Sequence, residues 1–157
     1  MINKKDLDIL SILQNNSRAS NPAIGKAVGL TPSAVFERIR KLEAKGIIQS
    51  YHTRLNPRAL GLGVLAFVFL TVEIRTDEAA IDEALAEIDE VQEVHHISGE
   101  DCYLLKVWAA DNDDLGRLLL EKVHSIRGVR STRTNIVLKT VKERAGIPLR
   151  RGAQGSV

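Results

Sequence analysis

The segment "NPAIGKAVGLTPSAVFERIRKLEAKG", residues 21–46, constrains this chain more than any other. Asn21-Pro22 and Thr31-Pro32 each place a capping side chain before a proline, whose missing N–H is no loss in the first turn of a helix. Both pairs therefore predict helix starts. Gly29 lies between them and can take the left-handed conformation that closes a helix in a tight turn, and Gly46 does the same after Lys45. The first of these helices is short, with Ala23, Ile24, Ala27 and Val28 facing inward; the second runs over about 32–45. Leu7 with Leu10, and Ile9 with Leu13, mark an earlier helix over roughly 4–16. Two helices joined by a glycine turn make a helix-turn-helix.

With about 100° between successive residues, Val35, Ile39 and Leu42 form one buried stripe on the third helix. Ser33, Glu37, Arg40 and Lys41 fall opposite it, flanked by Phe36 and Ala34. Charge is concentrated in the same part of the chain. Residues 1–60 hold ten Lys and Arg against four acids, a net of +6, whereas residues 61–157 hold twelve against sixteen, a net of −4. A basic head on an acidic body fits a polyanion ligand that the body repels. After Gly46, "IIQSYHTRLN" alternates side by side as a strand does, a wing or connecting arm that Asn56-Pro57 ends.

From residue 64 the pattern changes. "VLAFVFLTVEI" is a nearly continuous apolar strand. Residues 76–89 form an acidic amphipathic helix with Ala80, Ile81, Ala84, Leu85 and Ile88 inward. "VQEVHHIS" and "CYLLKVWAA" are strands joined by Gly99-Glu100-Asp101. A helix over 111–126 opens on Asp111 and buries Leu115, Leu118, Leu119 and Val123, and "GVRSTRTNIVLKTVK" closes with a strand. The order β-α-β-β-α-β predicts an α+β, ferredoxin-like sandwich with both helices on one face. Its central strands are apolar on both sides, so a second copy is expected to cover the other face and make an obligate homodimer. Cys102 is the only cysteine and no disulfide can form within the chain. The longest apolar run, Val64 to Leu70, is too short to cross a bilayer, and the start carries no apolar run of signal-peptide length. A soluble cytoplasmic protein with no membrane partner is expected.

Residues 1–150 resemble the Lrp/AsnC, or feast/famine, family of bacterial and archaeal transcription regulators. The motifs are "LDILSILQNNSR", "VGLTPSAVFERIRKLEAKGII", "LNPRALGL", "SGEDCYLLKV" and "GVRSTRTNIVL", in family order and at family spacing. The resemblance implies a winged helix-turn-helix over 1–50, a hinge strand and linker over 51–62, and a domain over 63–142 that senses an effector and dimerises through its sheet, followed by a tail over 143–157. It also implies dimers assembling into rings such as octamers. The family's recognition-helix pattern falls on Thr31, Ser33, Val35, Arg38, Ile39, Leu42 and Glu43. Its effector loop falls on Gly99, Glu100, Asp101, Cys102 and Tyr103, and its effector-responsive last strand on Thr132, Thr134, Asn135 and Ile136. Two positions depart from the commoner family pattern. Gly25 stands where many members have alanine, and Cys102 stands where many have aspartate.

The expected function is sequence-specific binding of double-stranded DNA under control of a small molecule, an amino acid, with no cofactor, metal or catalytic residue. Arg40 and Lys41 are the expected phosphate or base contacts, with Lys26, Arg38 and Lys45 as flanking charge and Thr31, Ser33, Phe36 and Glu37 on the same face. Arg38 borders the buried stripe, so pairing within the chain is an equal alternative; Glu37 could equally pair with Arg40 or Lys41. At the loop, backbone N–H groups suit a carboxylate, and Asp101 or Glu100 suits an ammonium, although "SGED" is also a good hairpin turn. Two other readings fit the same residues: a DNA-compacting protein without an effector, and a metal- or thiol-responsive regulator using His95, His96 and Cys102. Adjacent strand residues point to opposite faces, so the two histidines cannot hold one metal together.

Overall fold

A computed structural model describes residues 2–73, 76–144 and 146–149. The chain divides into two compact units, one of residues 1–54 with the segment from 142 onward, the other of residues 55–141.

The first unit is built from α1 (Lys4–Asn15), α2 (Asn21–Val28) and α3 (Pro32–Ala44). Ile9, Ile24 and Val35 meet in its centre, each at most 1% exposed, with Val28 beside them. Ala23 and Ala27, expected inward, are exposed: the eight residues of α2 bury only Ile24, Gly25 and Val28. Thr31 caps α3 as expected, accepting the Ala34 N–H. In α2 the cap is Ser20 rather than Asn21, because Asn21 and Pro22 already occupy the first turn. Gly29 ends α2 at φ 69°. Gly25 allows the tight turn for another reason. A Cβ there would lie 2.5 Å from the Leu30 carbonyl oxygen, while the Gly25 carbonyl accepts the Leu30 N–H at 2.9 Å.

The strand expected after Gly46 does not form. Residues 47–56 are irregular, and the described residues between α3 and β1 hold one 3₁₀ turn, at Arg58–Leu60. An extended segment becomes a strand only by pairing its backbone groups, and no neighbouring strand lies within the described residues of the first unit. The described residues from 142 to 149 belong to this unit as well. Arg54 donates to the Glu143 carbonyl at 3.2 Å and to its carboxylate at 2.7 Å. Gly146 sits so close to α1 that a Cβ would come within 2.7 Å of Gln14 Oε1. Of the tail expected over 143–157, residues 145 and 150–157 lie outside the described residues.

In the second unit, β1 (Val64–Val72), β2 (Val91–His96), β3 (Tyr103–Ala109) and β4 (Val129–Ile136) form one antiparallel sheet in the order β2-β3-β1-β4. That is the ferredoxin-like order expected. The covering helices are α4 (Glu78–Ala86), capped by Asp77, and α5 (Asn112–Arg117), capped by Asp111. The single helix expected over 111–126 is instead six residues of α-helix followed by a π-helical turn, Leu118–Val123, in which the His124 N–H reaches back to Leu119. The wider turn leaves Leu118 and Val123 buried while Leu120 points outward at 71% exposed.

Strand alternation divides the sheet into two faces. Ala66, Val68 and Leu70 of β1, with Tyr103, Leu105, Val107 and Ala109 of β3, are buried in the main core with Ile81, Leu85, Leu115 and Val123. On the opposite face Phe67, Phe69, Leu104 and Trp108 are only half-buried. No element of the described residues is packed as a layer over them.

Candidate functional site

Along α3, Ser33, Phe36, Glu37, Arg40, Lys41 and Lys45 are all exposed, as is Lys26 on α2. Arg40, Lys41 and Lys45 make no ion pair among the described residues, so their charge remains available to an anionic ligand. Phe36 is 53% exposed, an apolar ring on a charged face. The Thr31 hydroxyl caps the helix and lies 3.1 Å from that of Ser33. Glu37 pairs with neither Arg40 nor Lys41. Arg38 differs from its neighbours: its guanidinium donates to Asp6 of α1 at 2.7 Å. The alternative of pairing within the chain is the one the structure adopts.

Part of the expected effector site lies at one end of the sheet. Tyr103 is paired in register with Leu70 and His96, and Leu70 with Thr132, so His96, Tyr103, Leu70 and Thr132 form one row across all four strands on the helix-covered face. The His96 and Tyr103 rings stack at 4.8 Å. The Tyr103 hydroxyl donates to Asp82 of α4 at 2.8 Å. Burial, and then this carboxylate acceptor, push its pKa well above the ordinary tyrosine value. At the far side of the row, Thr132 Oγ1 and His124 Nε2 are 2.8 Å apart.

The loop at this end is tied to the sheet through Cys102, whose N–H donates to Leu70 and whose carbonyl accepts from Ile97. Gly99, at φ 130°, and Glu100 are exposed. Thr134 lies in the next row on the helix-covered face, paired with Val68. Asn135, paired with Phe67, belongs to the open face; Ile136 is 45% exposed at the opposite end of β4. The loop, Tyr103 and Thr132 are thus brought together, and Asn135 and Ile136 lie away from them. Asp82, His124 and Arg133, which touch Tyr103, Thr132 and Asp101, were not singled out by sequence reasoning. Arg133 stacks on the Phe69 ring at 4.4 Å and meets Asp101 at 2.5 Å. Only the register of β4 against β1 places it there.

On the open face Glu93 accepts from His95 at 3.0 Å and from Lys106 at 3.2 Å. These hydrogen bonds, that from His95 foremost, hold its pKa below the usual carboxylate range. His95 and His96 point to opposite faces, and no group of three His, Cys, Asp or Glu able to hold a metal occurs among the described residues. Nor is any described helix long and apolar enough to cross a membrane.

A capped helix with a basic exposed face in a three-helix unit, followed by a sheet domain with the loop, Tyr103 and Thr132 at one end, has the form of a DNA-binding regulator with a separate ligand-binding domain. A family model described as the Lrp/AsnC ligand binding domain matches residues 65–147, and one for winged helix-turn-helix DNA-binding matches residues 2–49. The chain belongs to the Lrp/AsnC family and is a transcriptional regulator, as its relatives are, not an enzyme. It is similar to the leucine-responsive regulatory protein of Escherichia coli K12, 37% identical over 144 residues that cover 90% of this chain and 88% of that one. Among solved structures it is similar to a transcriptional regulator from Neisseria meningitidis in complex with L-Met, with a TM-score of 0.91 at 29% identity, covering 94% of this chain and 97% of that one. It is also similar to the feast or famine regulatory protein of M. tuberculosis complexed with L-methionine, with a TM-score of 0.87 at 31% identity, covering 94% and 99%.

Proposed function

We propose that this protein is a cytoplasmic regulator whose DNA binding or assembly responds to an amino acid held at the Gly99–Tyr103 loop. The observation that carries this reading is the gathering of the loop, Tyr103 and Thr132 at one end of the sheet. The loop offers backbone N–H groups to a carboxylate, and Asp101 offers a counter-charge to an ammonium. Relatives named for leucine and neighbours complexed with L-methionine make these two the first ligands to try.

The working form is a homodimer joined through the open sheet face, with dimers assembling further into rings such as octamers. Phe67, Phe69, Leu104 and Trp108 supply the apolar surface that such an interface removes from water. Double-stranded DNA is bound through α3, with Arg40 and Lys41 as its principal anchors and Lys26 and Lys45 at the flanks.

A thermal-shift screen of the twenty amino acids, followed by footprinting with and without the best of them, tests the reading. A ligand at about 100 times its dissociation constant raises apparent stability by about 2.7 kcal/mol. Footprints that ignore every amino acid would instead identify a DNA-compacting protein.

A further inference from the structure

Asp6 is the buried charged residue of the described structure, at 8% exposed. It belongs to the capping box of α1. Its Oδ2 accepts the Asn3 N–H at 3.0 Å, and the Asn3 side chain accepts the Asp6 N–H at 3.0 Å. Its remaining oxygen, Oδ1, accepts Arg38 Nη1 at 2.7 Å, and the same nitrogen lies 3.4 Å from Asn3 Oδ1. One guanidinium from α3 therefore seals both members of the cap.

The surroundings give this pair its importance. A groove of about 370 Å³ separates the start of α1 from α3, with Ile2, Glu37, Lys41 and Lys45 among its walls. Packing between the two helices is thin on that side. The buried stripe of α3, Val35 and Leu42, fixes the distance of the helix from the core. Apolar contact is not directional, however, and permits some rotation about the helix axis. A charge-assisted hydrogen bond is directional, and this one bridges the groove. Arg38 sits at the border between the buried stripe and the exposed face, where a fixed point best resists rolling.

We propose that Arg38 is a positioning residue for DNA recognition. Its bond to Asp6 sets the rotation of α3, and so the direction in which Glu37, Arg40 and Lys41 meet the base edges, without itself touching DNA. The proposal rests on α3 being the recognition helix. It makes Asp6, a residue of another helix, a determinant of sequence selectivity.

Two DNA probes separate the possibilities: a duplex selected from a random library by the full-length protein, and a mixed-sequence duplex. Each is titrated over a range of salt concentrations. Arg38→Gln and Asp6→Asn should each weaken binding to the selected duplex about tenfold, with little change on the mixed-sequence duplex. The double variant should be no worse than either single, and the salt dependence should keep its slope. A drop of about 0.9 in the log–log slope for Arg38→Gln alone, with Asp6→Asn like the parent, would make Arg38 a phosphate ligand and overturn the proposal. Equal weakening on both duplexes would overturn it too. Arg38→Lys guards against a folding failure in the other variants: it keeps the charge, so it should keep the slope and mixed-sequence affinity while losing selectivity. Unchanged selectivity in Arg38→Lys and Arg38→Gln together sinks the idea. Failure of the underlying reading looks different, because Arg40→Ala with Lys41→Ala would then bind both duplexes like the parent.

Discussion

Arg133 on β4 reaches across the face of Phe69 and meets the Asp101 carboxylate at 2.5 Å. An amino-acid ammonium that uses Asp101 must therefore take it from a resident partner. Arg133→Gln should tighten amino-acid binding about three- to fivefold, since a pair exposed on one side contributes up to about 1 kcal/mol. Asp101→Asn should weaken it roughly ten- to a hundredfold. Calorimetry with L-methionine or L-leucine reads both; equal dissociation constants across parent and variants would leave the pair as a turn fastening only.

Gly25 gives a prediction that runs against helix propensity. Alanine is the better helix former by about 1 kcal/mol, yet its methyl group would meet the Leu30 carbonyl oxygen at 2.5 Å. Backbone has to shift to make room, at about 1–3 kcal/mol. Gly25→Ala should therefore lower the urea midpoint of the DNA-binding unit, and a rise would show that the turn relaxes freely.

Tyrosine ionisation sets the alkaline behaviour. Burial and the Asp82 carboxylate raise the Tyr103 pKa, and burial followed by Glu43 pushes Tyr51 up to about 12. Both hydroxyls stay neutral in the folded chain while the unfolded chain ionises near pH 10. Their contribution is complete below about pH 10 and is lost as pH rises from there through the folded values. Tyr103→Phe should cost about 1 kcal/mol at pH 8 through its missing hydrogen bond, and its stability should fall less steeply between about pH 9 and 11. Urea unfolding across that range measures the difference.

On DNA, Arg40→Ala with Lys41→Ala should weaken binding and lower the log–log salt slope by about 0.9 for each phosphate that is no longer neutralised. Amino-acid binding and assembly should survive, because both side chains are exposed on α3. Fluorescence anisotropy at several salt concentrations decides it.

For assembly, the parent should sediment at micromolar concentration as a dimer or larger. Phe69→Glu places a charge in the middle of the open face and should release a species of single-chain mass. A parent that already sediments as one chain would rule out the sheet-to-sheet interface.

Local chemistry carried most of the fold into the sequence. Thr31-Pro32 and Gly29 set α3 and its turn because capping and left-handed backbone are decided within a few residues. The unbroken apolar run of β1 and the two-sided apolar character of β3 likewise announced the sheet. What escaped depends on distance along the chain. Arg133 and Asp101 are 32 residues apart, as are Arg38 and Asp6, and nothing near either arginine names its partner. Residues 47–56 failed in the opposite way, since alternation signals a capacity to pair and no described strand of the first unit answers it. The π-helical turn was hidden because Leu118, Leu119 and Leu120 are alike in type, and only packing selects which one faces outward.

The bond between Arg54 and Glu143 has an architectural consequence. The chain leaves the DNA-binding unit and re-enters it at two points close enough to share one guanidinium–carboxylate pair. Along the chain, residues 55–141 are therefore an insertion between two neighbouring points of the first unit. Insertions of this kind tolerate exchange when the ends of the guest lie close together. A different sensor with neighbouring termini could be grafted between Arg54 and Glu143, giving the same DNA-reading head a new chemical input.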